Sequence, residues 1–305
     1  MITKKPKFPC YYSPPDRTSE LATRIVGGHV MSVSIIGLCF NIVLFFHFLS
    51  LEKLSFYILC TSKTVSNSMS LLVYLCYIGP VNLFFTHIGS TFFNSRIQQV
   101  FGLGLFIQGP MTQMIITVNR FLVIMFSPTS VPKYSTHITV AALSLTWLAG
   151  IWWSTIPGFE DNCFVPFTFD HVGFYFTECN QKIVVWVACI IVSLAVFNNT
   201  MNIVLGIKLA ISAKKMRGIS SEVARNRSRQ TTRFFIQSCI QDWLTALVCG
   251  TNIISVELLC PNNAFMHLTT FAVDSMSYTV DGKVFSRMAQ YLYKNWMARL
   301  ETVHE

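Results

Sequence analysis

Apolar residues in this chain gather in long, nearly unbroken runs, unlike the one-faced patterns that line the core of a water-soluble protein. Seven runs stand out, at 25–48, 56–81, 97–126, 137–156, 183–210, 234–256 and 264–285. Each reaches the roughly 20 residues that a helix needs to cross the hydrocarbon core of a bilayer. The polar stretches between them are short except at 157–182 and 211–232, and none has room for a separate folded domain. The predicted fold class is an all-α membrane protein, a seven-transmembrane helix bundle over residues 25–285. Residues 1–24 form an N-terminal tail and residues 286–305 a C-terminal tail. In the latter, Tyr291, Tyr293, Trp296 and Met297, with Lys294 and Arg299, suggest a short helix lying on the membrane surface.

Composition supports this pattern. Apolar residues make up 52% and charged residues only 12%, about half the usual share for a soluble protein. Mean hydropathy is +0.49. So little charge does not cover a soluble surface, and a disordered chain is far less apolar. The net charge of +9 is then a topology signal, and no nucleic-acid surface is expected. Lys208, Lys214, Lys215, Arg217, Arg225, Arg227, Arg229 and Arg233 cluster from the end of the fifth run onward, and Arg287, Lys294 and Arg299 follow the seventh. Lys53 and Lys133 fall in loops on that same side. The opposite side has Arg96 and Lys182 in its loops and Lys4, Lys5, Lys7, Arg17 and Arg24 in the tail. The tail opposes the larger cluster; the cluster decides, placing the N-terminus outside and the C-terminus in the cytoplasm of a plasma-membrane protein. No apolar run follows Lys7, so the first span is expected to act as its own insertion signal. The glycosylation sequons at Asn198 and Asn226 then fall in the fifth span and an inner loop, where neither is modified.

Polar residues inside the runs recur at helical spacing. Ser34, Gly37 and Asn41 do so in the first run, and Ser62, Ser66 and Ser70 with Asn67 in the second. Small residues let helices approach closely and amides bond across them, so these positions suit helix packing. Gln237 and Gln241 stand four apart in the sixth run, beside Ser238 and Asp242. Asp274, Tyr278 and Asp281 share one face of the seventh. Carboxylates at such depths are neutral, paired or functional. Two readings stand for Asp274, a polar ligand pocket or a structural hydrogen bond. Asp242 and Asp281 fit a switch region, with Lys63, Arg120 and Lys283 as candidate partners. Gln108, Thr112, Gln241, Asp274 and Tyr278 form the candidate pocket set.

Four of the ten Cys fall outside the membrane: Cys10, Cys163, Cys179 and Cys260. The aromatic-rich segment between Cys163 and Cys179 suits a short β-hairpin closed by a disulfide, either as a plain staple or as a lid over a ligand. Four Cys allow three connectivities, and Cys10 with Cys260 would be the remaining pair. Cys39, Cys60, Cys76, Cys189, Cys239 and Cys249 are expected to be buried small apolar residues. Seven His form no metal-ligating pair, and no catalytic, phosphate-binding or dinucleotide-binding signature occurs. No enzyme activity, metal or cofactor is expected.

The third run ends in Val118-Asn119-Arg120-Phe121, which resembles the acid–Arg–aromatic triplet of rhodopsin-like receptors. More of the chain agrees: Gly37-x-x-x-Asn41, Tyr77-Ile-Gly-Pro80 ending the second run, Gln108-Gly-Pro110 breaking the third, and Asn202 through Lys208-Leu209. The Cys163–Cys179 loop, the Phe234–Gln241 stretch and Asp281-Gly282 complete the set. Together these resemble the nematode serpentine receptors of class X over roughly residues 30–285. The resemblance implies a chemosensory G-protein-coupled receptor with an external small-molecule ligand and a heterotrimeric G protein as partners. It gives Asn119, Arg120 and Phe121 a coupling role, with Lys214, Lys215, Arg217, Arg225, Arg227 and Arg229 beside them. Those basic residues equally suit anionic inner-leaflet lipid. Departures are clear: Asn119 replaces the acid, so no latch forms within the triplet, and no Cys tethers the outer end of the third span. A transporter or channel using the intramembrane Asp residues, and a receptor that folds without signalling, are the competing readings.

Overall fold

In this computed structural model of the chain, the residues described are 19–50, 55–125, 135–155, 167–168, 173–174 and 178–216, with Cys239 and Trp243. The first helix, α1, spans Glu20–Ser50. Ser19 precedes it, and its hydroxyl accepts the amide of Ala22 at 3.2 Å, satisfying one of the donors a helix start leaves open. Glu20 in the first turn faces the positive end of the helix dipole and pairs with Arg24 at 2.6 Å. This polar cap carries the helix five residues ahead of the apolar run.

The second helix, α2, spans Ser55–Phe84 and contains a π-turn at Tyr74–Ile78. Phe85 closes it in a left-handed conformation, φ 52°. The third, α3, covers 91–125 in three continuous pieces: Thr91–Gln98, a π stretch at Gln99–Leu105, and Phe106–Met125. Then come α4 (Ser135–Thr155) and a two-stranded antiparallel ladder pairing β1 (Phe167–Thr168) with β2 (Gly173–Phe174). The last described helix, α5, spans Glu178–Met216.

Several expectations need correcting. Pro110 does not break the third helix; it lies inside Phe106–Met125. Proline lacks an amide proton and crowds the carbonyl four residues back, which here is Phe106. The wider π turns end at Leu105, just before that residue, so the irregularity lies upstream of the proline. Likewise Tyr77-Ile-Gly-Pro80 does not end the second span. Pro80 enters the first turn of a continuing segment, where its missing donor costs little. Arg96 and Lys182, expected in loops, lie on α3 and α5, because the helices outrun the apolar core of each span. Cys39, Cys76 and Cys189 are exposed on the helix surfaces, Cys239 is half-buried, and Cys60 is buried. Cysteine is small and apolar enough to face lipid as readily as a core.

Four described helices are long and apolar enough to cross a membrane: Glu20–Ser50, Ser55–Phe84, Thr136–Thr155 and Cys189–Ile211. Their outward faces are apolar; Ile35, Ile36, Ile42, Val43 and Phe46 of α1 are all at least half exposed. In water such a stripe would be a liability, whereas in lipid it is the ordinary surface. By contrast, α3 is diluted by Gln108, Thr112, Gln113, Thr117, Asn119 and Arg120. It packs against α2, α4 and α5, so little of it needs to match lipid.

Close approach is bought by small residues. A Cβ on Gly27 of α1 would strike the backbone nitrogen of Leu83 and lie 2.9 Å from the Gly79 carbonyl of α2. A Cβ on Gly104 of α3 would strike Ser154 Oγ and lie 2.9 Å from the Gly150 carbonyl of α4. Trp147 of α4 donates its indole N–H to Ser62 Oγ of α2 at 2.9 Å. At the other end of the bundle Tyr77 donates to Asn94 Oδ1 at 2.8 Å, joining the π-turn of α2 to the start of α3.

Candidate functional site

The triplet lies in the closing turns of α3. Asn119, Arg120 and Phe121 are all half-buried. The Arg120 guanidinium lies over the Phe56 ring of α2, 5.7 Å from its centroid. A cation over a ring face is attracted by the ring's negative quadrupole. Phe56 in turn sits beside Tyr57, which stacks on Phe48 near the end of α1 at 6.3 Å between centroids. The end of the bundle that holds Arg120 is therefore aromatic.

Away from that end the interior is polar. Gln108 donates to Thr112 Oγ1 at 2.9 Å within α3, and both side chains are buried. Two of the expected pocket residues are thereby brought together; Gln241, Asp274 and Tyr278 lie outside the described residues. So do Arg217, Arg225, Arg227, Arg229 and the expected partner Lys283. Lys214 and Lys215 fall on the last turn of α5, continuing that helix instead of opening a loop. Cys179 stands at the start of α5, and the hairpin expected between it and Cys163 is present as the β1–β2 ladder. Cys163, Cys10 and Cys260 are outside the described residues, and the disulfide with them.

The expected packing positions hold. Ser34, Asn41, Ser62, Ser66, Asn67 and Ser70 are all buried. Asn41 returns its amide to the Gly37 carbonyl at 2.8 Å, and Ser70 its hydroxyl to Ser66 at 3.2 Å. Such back-bonding satisfies a polar group where no water competes.

Sequence reasoning missed Gln113 and Thr117. Both are buried, and neither Gln113's amide nor Thr117's hydroxyl has a hydrogen-bond partner among the described residues. The signal was available: Gly109, Gln113, Thr117 and Arg120 recur at steps of four, four and three, one stripe of an α-helix. Asn67 on α2 is likewise buried with both ends of its amide unmet among the described residues. Lys63 is buried on α2, and a Cβ on Gly109 would lie 3.7 Å from its ammonium. No group of metal-ligating side chains occurs among the described residues.

Comparison with known proteins fits this arrangement. The crystal structure of squid rhodopsin superposes with a TM-score of 0.67 at 15% identity, covering 94% of this chain and 92% of that one. A likeness at that identity concerns the fold: the chain is an all-α, seven-helix bundle of the rhodopsin type, and α1–α5 are its first five helices. No curated protein matches the chain. The family model described as serpentine type 7TM GPCR chemoreceptor Srx matches residues 31–288. With most of its length matched, the chain belongs to the Srx family of serpentine chemoreceptors, and is a multi-pass membrane protein of the G-protein-coupled receptor class.

Proposed function

We propose that this receptor sits in the plasma membrane with its N-terminus outside, binds an external small molecule and activates a heterotrimeric G protein at its cytoplasmic end. The residues before α1 are the outer tail, those from Glu20 to residue 285 the receptor domain and 286–305 the inner tail. The observation that carries the reading is the position of Arg120, in the closing turns of the central helix and over the Phe56 ring. A cation–π contact at a helix end is weak enough to be given up at small cost when the bundle opens. Arg120, with Asn119 and Phe121, then meets the G protein. Lys214, Lys215, Arg217, Arg225, Arg227 and Arg229 supply the basic surface beside it and also hold anionic lipid.

The ligand enters from the opposite end, among the third, fifth, sixth and seventh spans. Gln108 and Thr112 supply hydrogen-bonding groups from α3, and Gln241, Asp274 and Tyr278 supply the rest. The Cys163–Cys179 disulfide orders the outer hairpin above it. Only a ligand that prefers the open conformation shifts the equilibrium toward it, so agonism requires contacts that differ between the two states.

The test is a small-molecule screen on cells expressing the chain, read by G-protein activation. Hits should activate the wild type and lose at least about ten-fold in response with Arg120→Ala at equal surface display, the usual scale of a coupling free energy. Responses that survive Arg120→Ala, or ion currents without G-protein activation, would contradict the reading; currents would point to a channel or transporter.

A further inference from the structure

The central helix changes its winding part-way along. In α3 the π stretch Gln99–Leu105 is set between two α segments, Thr91–Gln98 and Phe106–Met125. A π turn closes one residue later than an α turn, so the stretch holds a residue more than an α-helix of the same rise. Rewound as α-helix, it would turn the outer segment by about 100° against the inner one and move it about 1.5 Å along the axis. Neighbouring helices hold the wider winding. The Ser154 hydroxyl of α4 lies 2.8 Å from the Gly150 carbonyl of its own helix and 3.2 Å from the Val100 carbonyl inside the stretch. One proton is thus shared between two acceptors. A side chain that enters a helix ladder is a recognised cause of irregular winding. Close packing keeps it there: a Cβ on Gly104 would strike Ser154 Oγ, and one on Gly150 would lie 3.2 Å from the Gly104 carbonyl. On the other side Tyr77, itself in the π-turn of α2, donates to Asn94 at 2.8 Å and fixes the outer segment.

Two features oppose that hold. Gln99, the first residue of the stretch, is 6% exposed, and its amide nitrogen has no hydrogen-bond partner among the described residues. A buried donor left unmet weighs against the winding that buries it. Pro110 offers the Phe106 carbonyl no amide proton, so the α turn next to the stretch lacks a rung. We infer that the π stretch of α3 is a two-position joint: Ser154 of α4 and Tyr77 of α2 hold it wide, and release of those contacts lets it rewind and turn Thr91–Gln98 against the rest of the helix. The joint ends three residues before Gln108. That it lies toward the external ligand rests on the proposed function; the joint itself does not.

The test uses the full chain in detergent, with neither ligand nor G protein, so it stands or falls apart from the proposed signalling. Deleting Val100, whose side chain is 37% exposed, removes the extra residue and leaves both flanking segments in phase. Deleting Met114, inside the α segment, turns one part of α3 out of phase with the other by about 100°. The Val100 deletion is expected to fold with a thermal midpoint near that of the wild type. The Met114 deletion is expected to lower the midpoint by roughly 10 °C or more, or to give no folded receptor. Amide hydrogen exchange reads the joint directly. In the wild type, amides of 99–105 should exchange at least about ten-fold faster than those of 111–117, and in the Val100 deletion they should match them. Ser154→Ala should quicken exchange in the stretch about five-fold further. Thr155→Ala should not, because the Thr155 hydroxyl bonds carbonyls of its own helix. A Val100 deletion as damaging as the Met114 deletion, or a wild-type stretch as protected as 111–117, would overturn the joint. Equal exchange in Ser154→Ala and Thr155→Ala would overturn the hold assigned to Ser154.

Discussion

Arg120 rests over the Phe56 ring in a triplet that offers no acid, and that contact is part of what holds it. A partly buried cation–π contact contributes about 0.5–2 kcal/mol. Replacing Phe56 with Ala removes that contact from the closed state alone. Agonist-independent signalling should then rise about five-fold for each kcal/mol lost, measured by G-protein activation at matched surface display; an unchanged basal level would deny the ring a holding role. Trp147 and Ser62 provide a second test among single residues. Their hydrogen bond at 2.9 Å crosses between α4 and α2. Trp147→Phe and Ser62→Ala should each destabilise the receptor, and the double variant should cost about 1 kcal/mol less than their sum. Strict additivity of the thermal stabilities would show that the bond contributes nothing.

Helix contacts depend on which of two adjacent glycines is changed. Gly27 faces the backbone of Leu83 and Gly79, while a Cβ on Gly28 finds nothing nearer than Leu83 Cδ1 at 4.0 Å. Gly27→Ala should force α1 and α2 apart at a cost of about 1–3 kcal/mol, and lower folded receptor at the cell surface several-fold. Gly28→Ala should leave surface display unchanged or raise it, since Ala favours a helix over Gly by up to about 1 kcal/mol. Equal effects would mean that the α1–α2 contact at Gly27 is not as close as described. Four of the described spans were legible in the sequence because lipid demands a long apolar run, and a run is visible without neighbours; α3, diluted by polar residues, was the less plain case. Their ends were less legible. Glu20, Arg24 and Arg96 lengthen the helices through local caps and pairs, which apolar counting passes over. The effect of Pro110 was misread because the π stretch that precedes it leaves no composition signal. Gln113 escaped notice because a lone Gln in an apolar run looks incidental until Gly109 and Thr117 are placed on the same face. Lys63 was legible as a candidate partner, but its depth and its Gly109 niche came only from the packing.

At the scale of the molecule, the bundle has an aromatic Arg120 end and an opposite end where Tyr77 ties α2 to Asn94 at the start of α3. That hydrogen bond stands at the end of α3 where no Cys is available for a tether. The proposed coupling requires the Arg120 end to face the cytoplasm. The basic residues from Lys208 to Arg233 favour that orientation and the basic N-terminal tail opposes it. One epitope tag at each terminus, probed on intact and permeabilised cells with glycosylation of Asn226 read from the same samples, decides the matter. The receptor account predicts an N-terminal tag exposed on intact cells, a C-terminal tag reached only after permeabilisation, and an unmodified Asn226. A buried N-terminal tag, an exposed C-terminal tag or glycan on Asn226 would place Arg120 away from any G protein and contradict the account.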